Sequence, residues 1–560
     1  MKSRRYIPLI CLALFMASCQ DYLDTKPGDK YDDATIWSNT NLIDSYVFGI
    51  YKEIPYPFQW YACAALVDEA VPVQNDGVVG RVLTGTMTPE EPAAFKDNWA
   101  AAMENWWWKS VYSHIRGCNL YFEKVALADN TDPAYLEQLT GEVHFLRAYF
   151  YYLLMAQYGG VPLVSNVVNI GDDYNVPRSS FAGTIAFILA DLDEAVKDQR
   201  LKNQSDKTRA TEGAVYALRS RVLLYAASDL HHRVSEWAPG FEQPELLGYT
   251  DADRNELYRQ AKEAAEEVMG LGVYSLYDEN ADPAENYTEL FLAMESDEQI
   301  FITKYDKDND PYWATDWPAW VYGTPTYGGF ALNQVTGNLA DAFENADGTP
   351  FDFAAQKADP YTGRDPRFYA TILYDSADWY ANANGEHAPA KIDIAGNDGK
   401  NLGTGYYIRK FISPLENDAY FGTRQPQPYM QIRYAEVLLN YAEACLGLSD
   451  EEGARDALNE IRERAGMPDI PDSETGEDLL ERYRNERRVE LAWECHRFFD
   501  VRRWMTAPAA YAEATGVTRQ AGGYESFVYE SRAWNNSHYL IPILFEELQK
   551  NTALVQNPGY

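Results

Sequence analysis

The sequence predicts a mainly α-helical protein in which a long loop-rich region interrupts a helical scaffold. Two observations support this fold class. Apolar residues recur at three- and four-residue steps through much of the chain, which is the spacing of one face of an α-helix. Between about residues 280 and 425 this periodicity is lost, and Gly, Pro, Asp, Tyr and Trp become frequent.

Five stretches carry the helical spacing. They are marked by Leu136, Leu139, Val143, Leu146, Phe150 and Leu153; by Val215, Leu218, Val222 and Tyr225; by Tyr258, Ala261, Ala265 and Val268; by Ile432, Ala435, Leu439 and Ala442; and by Ala454, Ala457, Leu458 and Ile461. Gly159 and Gly160 are expected to end the first helix, and Gly270 the third. A capping box of Ser449 and Glu452 is expected to open the fifth. Small residues at interior positions suggest tetratricopeptide-like helix pairs, although the sequence shows no repeat of fixed period.

The loop-rich region should contain short strands, such as 299–304. Long irregular segments carried on a rigid scaffold are where binding sites usually lie. Within this region, Trp313, Trp317, Trp320, Tyr322 and Tyr327 lie in a loop that also holds three prolines. Their flat rings suit the apolar face of a sugar or a peptide side chain, and the alternative is a small hydrophobic core beneath the loop.

The N-terminus has the order of a signal peptide. Lys2, Arg4 and Arg5 precede an apolar run from 7 to 17, which is shorter than the roughly 20 apolar residues of a spanning helix. The tetrad Met-Ala-Ser-Cys that ends at Cys19 is typical of a lipobox. We therefore expect an exported protein with a signal peptide over 1–18 and a lipidated Cys19, a site for acyl chains such as palmitate, with a tether over 19–34.

Charge excludes some partners. The chain has 85 acidic and 48 basic side chains, and its formal net charge is −37. A field of this sign repels nucleic acid and anionic lipid, so neither is expected as a main partner. Aromatic residues make up 14% of the chain, and they either fill a core or form flat binding surfaces.

Metal sites and cofactors are not predicted. Asp306, Asp308 and Asp310 match the first ligands of an EF-hand loop, but Pro311 and Trp317 stand where Gly and the bidentate Glu should be. The adjacent His231 and His232 lack a third ligand at metal-binding spacing. No cysteine pair has CxxC spacing. Cys118 and Cys445 are expected to be buried helical thiols, and a disulfide among Cys63, Cys118, Cys445 and Cys495 is left open.

Catalysis has one candidate cluster. Arg487, Glu490, Glu494 and Arg497 step by three and four residues, which predicts one helical face, and His496 lies beside them. Two carboxylates near a histidine could perform acid–base chemistry, but an ion-pair network that fixes a helix is the favoured interpretation. The sequence contains no nucleophile elbow, P-loop, HExxH or dinucleotide-binding fingerprint. We therefore predict that the protein is not an enzyme.

Several stretches together resemble the SusD/RagB family of outer-membrane nutrient-binding lipoproteins. They are GEVHFLRAYFYYLLMAQYGGVPLV (141–164), ATEGAVYALRSRVLLYAA (210–227), RYAEVLLNYAEA (433–444), NERRVELAWECHRFFDVRRW (485–504) and QNPGY (556–560). Cys495 stands where the family usually has Gly. The resemblance implies a SusD-like fold with tetratricopeptide-like helix pairs and a loop-rich ligand face. It also implies a surface lipoprotein of the outer membrane that passes glycans to a TonB-dependent transporter.

The resemblance places the expected organisation and ligand loops. A helical N-terminal part over 35–280 should precede a ligand-binding region over 281–428 and a C-terminal helical part over 429–560. The ligand loops are expected at 68–81 and 312–327. The predicted ligand-binding residues are Trp313, Trp317, Trp320, Tyr322, Asp68, Asn75, Asp76 and Arg81, with Trp99 and the Trp379–Tyr380 segment as outside candidates. Peptide capture is the alternative ligand class, and a surface glycoside hydrolase is the alternative function.

Overall fold

A computed structural model describes residues 33–55, 58–73, 79–91, 107–129, 131–169, 171–304, 318–383, 386–401, 403–413 and 428–560. Cys19 lies outside these residues, so its lipidation stays a prediction. Asp306, Asp308 and Asp310 also lie outside them. In the described part of the chain, no helix combines the length and the hydropathy of a membrane span.

Helices dominate the structure, as the sequence predicts. The N-terminal half contains α1 (Asp33–Trp37), α2 (Thr40–Tyr51), α3 (Gly80–Leu83), α4 (Trp108–Lys124), α5 (Pro133–Tyr158), α6 (Phe181–Val196), α7 (Glu212–Ala226), α8 (Asp229–His232), α9 (Val234–Trp237) and α10 (Arg254–Gly270). The remainder contains α11 (Pro283–Leu290), α12 (Gly337–Ala340), α13 (Phe353–Gln356), α14 (Pro366–Thr371), α15 (Tyr434–Gly447), α16 (Glu451–Arg464), α17 (Gly476–Glu490), α18 (His496–Arg503), α19 (Ala507–Ala510) and α20 (Phe545–Lys550).

The long helices form a continuous array. Helix α4 packs on α5, α5 on α6, α6 on α7, α7 on α10, α10 on α15, and α15 on α16. This succession of neighbouring helices agrees with the tetratricopeptide-like pairs expected from the small interior residues. Helix α5 lies at the centre: Asp132 caps its N-terminus, Pro133 begins it, and Gly159 follows its last turn with a positive φ of 79°. From Gly141 to Tyr158 nearly every residue of α5 is buried.

Short strands pair in twos. They are β1 (Ala70–Pro72), β2 (Gln299–Thr303), β3 (Asn333–Val335), β4 (Ile372–Leu373), β5 (Asp378–Ala383), β6 (Glu386–Lys391), β7 (Tyr407–Ile408), β8 (Tyr429–Arg433), β9 (Glu513–Gln520) and β10 (Gly523–Ser531). The antiparallel pairs are β1 with β3, β2 with β8, β4 with β7, β5 with β6, and β9 with β10. The strand expected at 299–304 is confirmed as β2.

Three local predictions were wrong. Ile432 belongs to strand β8, where it pairs with Phe301 of β2, and the helix that follows begins only at Tyr434. Helix α16 is capped by Asp450, whose carboxylate accepts the Gly453 N–H at 3.0 Å, so Ser449 is not the cap. Apart from these errors, the C-terminal part that was expected to be helical also contains the β9–β10 hairpin.

The third error concerns residues 487–497, which do not share one helix. Helix α17 ends at Glu490, and the turn that follows contains two non-glycine residues with positive φ, Trp493 (64°) and Cys495 (67°). Helix α18 then starts at His496. The spacing of the charged residues is therefore helical only up to Glu490, and their partners come from several parts of the fold.

Candidate functional site

The β1–β3 ribbon brings together the described residues that adjoin the two predicted ligand loops. Pro72 of β1 lies opposite Asn333 of β3, and the Val73 N–H donates to the Leu332 carbonyl at 2.8 Å. In an antiparallel pair, the chain leaving one strand lies beside the chain entering the other. Pairing across about 260 residues therefore brings strand β1, which is part of the predicted 68–81 loop, next to the segment that follows 312–327.

Two partly exposed aromatic rings lie on this segment. The centroids of Trp320 and Phe330 are 5.1 Å apart with an interplanar angle of 47°. The Phe330 N–H also donates to the Trp320 carbonyl at 2.8 Å, which fixes the two residues against each other. Trp320 is half-buried, whereas Phe330 is 37% exposed. We call this pair the aromatic platform.

The segment that carries the aromatic platform is held at several points. The Thr326 N–H and hydroxyl donate to the two carboxylate oxygens of Asp398 at 2.9 and 2.8 Å, and Asp398 is fully buried. The Tyr327 hydroxyl donates to the Ser413 carbonyl at 2.9 Å. Backbone hydrogen bonds from Ala331 to Gly323 and from Leu332 to Val321 close the segment on itself. Such a preformed surface loses little conformational entropy when a ligand binds.

Tyr322 supports this segment from within the core. It is 1% exposed, its hydroxyl donates to the Gln59 carbonyl, and its ring lies 5.7 Å from the ring of Trp493. Burial raises the pKa of its hydroxyl well above the ordinary value. Tyr322 therefore offers no surface to a ligand in this structure, and we assign it a structural role.

Asp68 is also an interior residue, at 4% exposure. Its carboxylate accepts hydrogen bonds from Arg488 at 2.8 Å and from Arg497 at 3.0 and 2.9 Å. Burial raises the pKa of Asp68, but the two guanidinium groups outweigh burial and hold this pKa below its usual range. Asp68 thus ties the start of β1 to α17 and α18, and we do not propose it as a ligand contact.

The other predicted residues divide into two groups. Arg81, on α3, keeps a 41% exposed side chain and forms an ion pair with Glu91 at 3.2 Å, so it remains accessible. Trp313, Trp317, Asn75, Asp76 and Trp99 lie outside the described residues, and their roles stay predictions.

The outside candidate Trp379 is a buried neighbour of the platform segment. It is 4% exposed, and its ring lies 5.8 Å from that of Tyr327 and 5.9 Å from the Arg409 guanidinium carbon. Phe330 was missed by the sequence analysis, although it follows Gly328 and Gly329 in the same aromatic loop. The only signal in the sequence that could have marked Phe330 as a site residue is its place directly after this glycine pair.

The charged cluster of the C-terminal part is a buried network. The Glu490 carboxylate, which is fully buried, accepts from Arg433 at 2.7 Å, from Arg367 at 2.9 Å and from Arg464. Glu494 accepts from Lys410 at 2.7 Å and from Arg433 at 2.8 Å. The pKa of Lys410 is lowered to about 8, mainly by burial. These carboxylates are committed to cations, which agrees with the ion-pair interpretation rather than with acid–base catalysis.

A disulfide joins this network to the base of the ligand loops. Cys63 and Cys495 are bonded, with 5.5 Å between their Cα atoms. Beside it, the Trp493 N–H donates to a carboxyl oxygen of Glu69 at 3.3 Å. The turn after α17 is therefore attached both covalently and by a hydrogen bond to the segment that leads into β1. Cys118 and Cys445 are buried thiols on α4 and α15, as the sequence predicts.

His231, which the sequence offered as a metal ligand, is a core residue. Among the described residues, no group of three or more His, Cys, Asp or Glu is placed to hold a metal ion. His231 is buried, its Nδ1 lies 2.7 Å from the Leu247 carbonyl, and its ring stacks on Phe181 at 3.9 Å. Burial lowers the pKa of His231 to about 4, so this ring is a neutral core residue.

Comparison with known proteins gives consistent matches over the length of the chain. The model of the SusD family matches residues 297–560, and the model described as "Starch-binding associating with outer membrane" matches residues 21–224. SusD-like protein P38 of Formosa agariphila is 23% identical over 581 residues, covering 99% of this chain and 98% of that protein.

Solved structures share the fold. Surface glycan-binding protein A from Bacteroides fluxus is 20% identical, with a TM-score of 0.64 over 93% of this chain and 100% of that chain. A SusD-like protein from Bacteroides fragilis is 31% identical, with a TM-score of 0.78 over 95% of this chain and 99% of that chain. Identity at this level over nearly the whole of both chains, together with the family match, shows that this protein belongs to the SusD family.

Proposed function

We propose that this protein binds glycans at the outer surface of the outer membrane, with the aromatic platform as part of the binding site. The single observation that carries the proposal is the partly exposed Trp320–Phe330 pair on a segment held at several points. An aromatic face can stack on the apolar C–H face of a sugar ring, and a preformed pair needs little reordering. The names of the B. fluxus relative and of the second family model support the ligand class and the location.

The remaining parts of the ligand site are proposed from the loops. Trp313 and Trp317 precede Trp320 in the chain, and Asn75 and Asp76 precede Arg81 in the loop that leaves β1. Because the β1–β3 ribbon brings the described residues beside the two loops together, we propose that these residues complete the site. Rings would stack on sugar faces, and the amide, carboxylate and guanidinium groups would bind hydroxyls.

We further propose that Cys19 carries the lipid that holds the protein at the membrane, and that a TonB-dependent transporter receives the glycan. The motif at 16–19 supports the first proposal. Mass spectrometry of the mature N-terminus tests it, since an unmodified Cys19 would contradict lipidation. Purification of a tagged chain from its native membrane tests the second, because the proposed partner should co-purify in detergent.

A glycan array tests the ligand class. The full-length protein purified in detergent should bind one family of oligosaccharides above background. Binding only to peptides in a parallel peptide array would replace the glycan proposal with the peptide alternative. Release of new reducing ends during the incubation would indicate a hydrolase instead.

A further inference from the structure

A groove of about 730 Å³ lies between α4, the segment 162–176 and the chain from α20 to 554. Its volume is in the range of ligand-binding clefts. Most of its lining is apolar, with Trp108, Tyr112, Ile115, Val164, Tyr174 and Leu554 as the main contributors. We call it the α4 groove. None of its lining residues belongs to the aromatic platform.

The walls of the α4 groove are fixed by hydrogen bonds. The Tyr112 hydroxyl donates to the Pro162 carbonyl at 2.8 Å, and the Tyr174 hydroxyl donates to the Asn169 carbonyl at 2.8 Å. The Asn551 side-chain amide donates to the Val176 carbonyl at 2.8 Å. Because these polar groups already have partners, the two tyrosines present their rings to an occupant. Tyr174 is 51% exposed.

One wall has the pattern of an extended chain. Residues 162, 164, 166 and 168 line the groove, so every second side chain points to the same side, as in a β-strand. This segment pairs with no strand in the part of the chain that the structure describes. An extended wall with alternate side chains in an apolar groove is a geometry that an extended peptide can match.

Among the charged residues that line the groove, three cations face two carboxylates, a positive balance in a strongly acidic protein. From 108 to 122, α4 contains Lys109 and Arg116 but no acidic residue, in a chain with a formal net charge of −37. Both side chains are exposed, and neither forms an ion pair with another described residue. The other charged lining residues already have partners: Glu547 pairs with Lys550 at 2.8 Å, and the Asp173 carboxylate accepts the Asn175 N–H at 2.9 Å. The wall formed by α4 is therefore a basic strip, about 10 Å long from Lys109 to Arg116 given the rise of an α-helix.

We propose that the α4 groove docks an extended segment of a partner protein that carries apolar side chains at alternate positions and carboxylates flanking them. The apolar lining would bind the alternate side chains, and Lys109 and Arg116 would bind the carboxylates. A hydroxyl-rich glycan is a poorer match, because much of the polar lining is occupied within the protein. This inference goes beyond glycan binding and does not depend on which ligand the platform binds.

A labelled peptide tests the proposal. The probe is a fluorescein-labelled pentapeptide with Leu at positions 2 and 4 and Asp at both ends, which places its carboxylates about 13 Å apart in an extended chain. Its charge-reversed partner carries Lys at both ends. Fluorescence anisotropy with the full-length protein in detergent should show binding of the acidic probe, weakened by added salt, and little binding of the basic probe. Equal binding of the two probes, or none of the acidic one, would overturn the proposal.

Two pairs of substitutions locate the binding. Lys109→Ala with Arg116→Ala should weaken binding of the acidic probe about tenfold, because two rim charges are lost. Lys52→Ala with Arg259→Ala removes two exposed cations elsewhere and should leave it unchanged. Wild-type affinity in the first double variant would contradict the assignment. Displacement of the probe by an array-positive glycan would instead make the groove part of the glycan site and overturn the proposal.

Discussion

Cys495 has a left-handed backbone conformation, with φ of 67°, and is disulfide-bonded to Cys63, 432 residues earlier in the chain. Positive φ favours glycine, because a Cβ crowds the neighbouring backbone there at a cost of about 1–2 kcal/mol. Cys495 stands where the SusD/RagB family usually has Gly. The left-handed backbone conformation at this position explains that preference for glycine. The bond to Cys63 offsets the strain that the Cys side chain introduces.

The disulfide should contribute measurably to stability. Cys63→Ala is expected to lower the free energy of unfolding by about 2–5 kcal/mol, the usual range for loss of a native disulfide. With Cys63 replaced by Ala, Cys495→Gly should be more stable than Cys495→Ala by about 1 kcal/mol, because glycine relieves the left-handed strain. Denaturant unfolding followed by Trp fluorescence measures both differences. Equal stability of the two double variants would contradict the strain argument.

The ion pairs of Asp68 should contribute more to the free energy of unfolding than an ion pair at the surface does. Asp68→Asn leaves Arg488 and Arg497 without their carboxylate. We therefore expect the free energy of unfolding to fall by about 3–5 kcal/mol. Asp193→Asn is the matched control, because the 69% exposed Asp193 pairs with Arg219 at the surface. The free energy of unfolding of this control variant should fall by less than about 1 kcal/mol. Similar losses for both variants in denaturant unfolding would show that the Asp68 pairs are not structurally important.

The buried C-terminal network should affect stability rather than ligand affinity. Glu494→Ala removes the carboxylate that binds Lys410 and Arg433, and Arg487→Ala removes the partner of Asp500, which lies 2.8 Å away. Each variant should lose about 3–5 kcal/mol of stability. Melting temperature and affinity for the array-identified glycan are measured together. An unchanged melting temperature with lost binding would place these residues in the ligand site.

Glu69 should make stability depend on pH. Burial and the neighbouring Asp68 raise the pKa of Glu69 to about 8, against the opposing effect of Arg488, Arg497 and the Trp493 N–H. In the unfolded chain this carboxyl has its ordinary pKa near 4.5. Between these two values the folded state holds a proton that the unfolded state has released, so this group lowers stability as pH rises from about 5 to about 8.

Glu69→Gln removes that titration and keeps an acceptor for the Trp493 N–H. The stability of the variant relative to the native protein should therefore increase as pH rises from 5 to 8.5. Denaturant unfolding at four pH values in this interval measures the difference. A difference that is constant, or that falls as pH rises, would contradict the raised pKa.

The sequence predicted the helices best, because the period of their apolar residues is local information. Helices α5, α7, α10 and α16 contain the residues that marked them. Ile432 was assigned to a helix because its spacing fits, but pairing with β2, about 130 residues earlier, makes it part of a strand. Likewise, spacing alone could not show that the chain after Glu490 turns through two positive-φ residues.

The candidate site was predictable as a pair of loops but not as a set of contacts. Composition marked the aromatic loop, and the resemblance marked the 68–81 loop. Whether a side chain there faces solvent depends on partners far away in the sequence. Tyr322 is buried against Trp493 and Gln59, and Asp68 is enclosed by Arg488 and Arg497. Trp320 and Phe330 have the same aromatic character but remain partly exposed.

Isothermal titration calorimetry of aromatic variants tests the role of the platform most directly. With an oligosaccharide taken from the array, Trp320→Ala with Phe330→Ala should weaken binding by about 2 kcal/mol or more, roughly thirtyfold, as expected for loss of a central stacking surface. Phe48→Ala, which removes a 45% exposed ring on α2, should bind as the native protein does. Native affinity in a folded Trp320→Ala, Phe330→Ala variant would contradict the account and place the glycan site elsewhere.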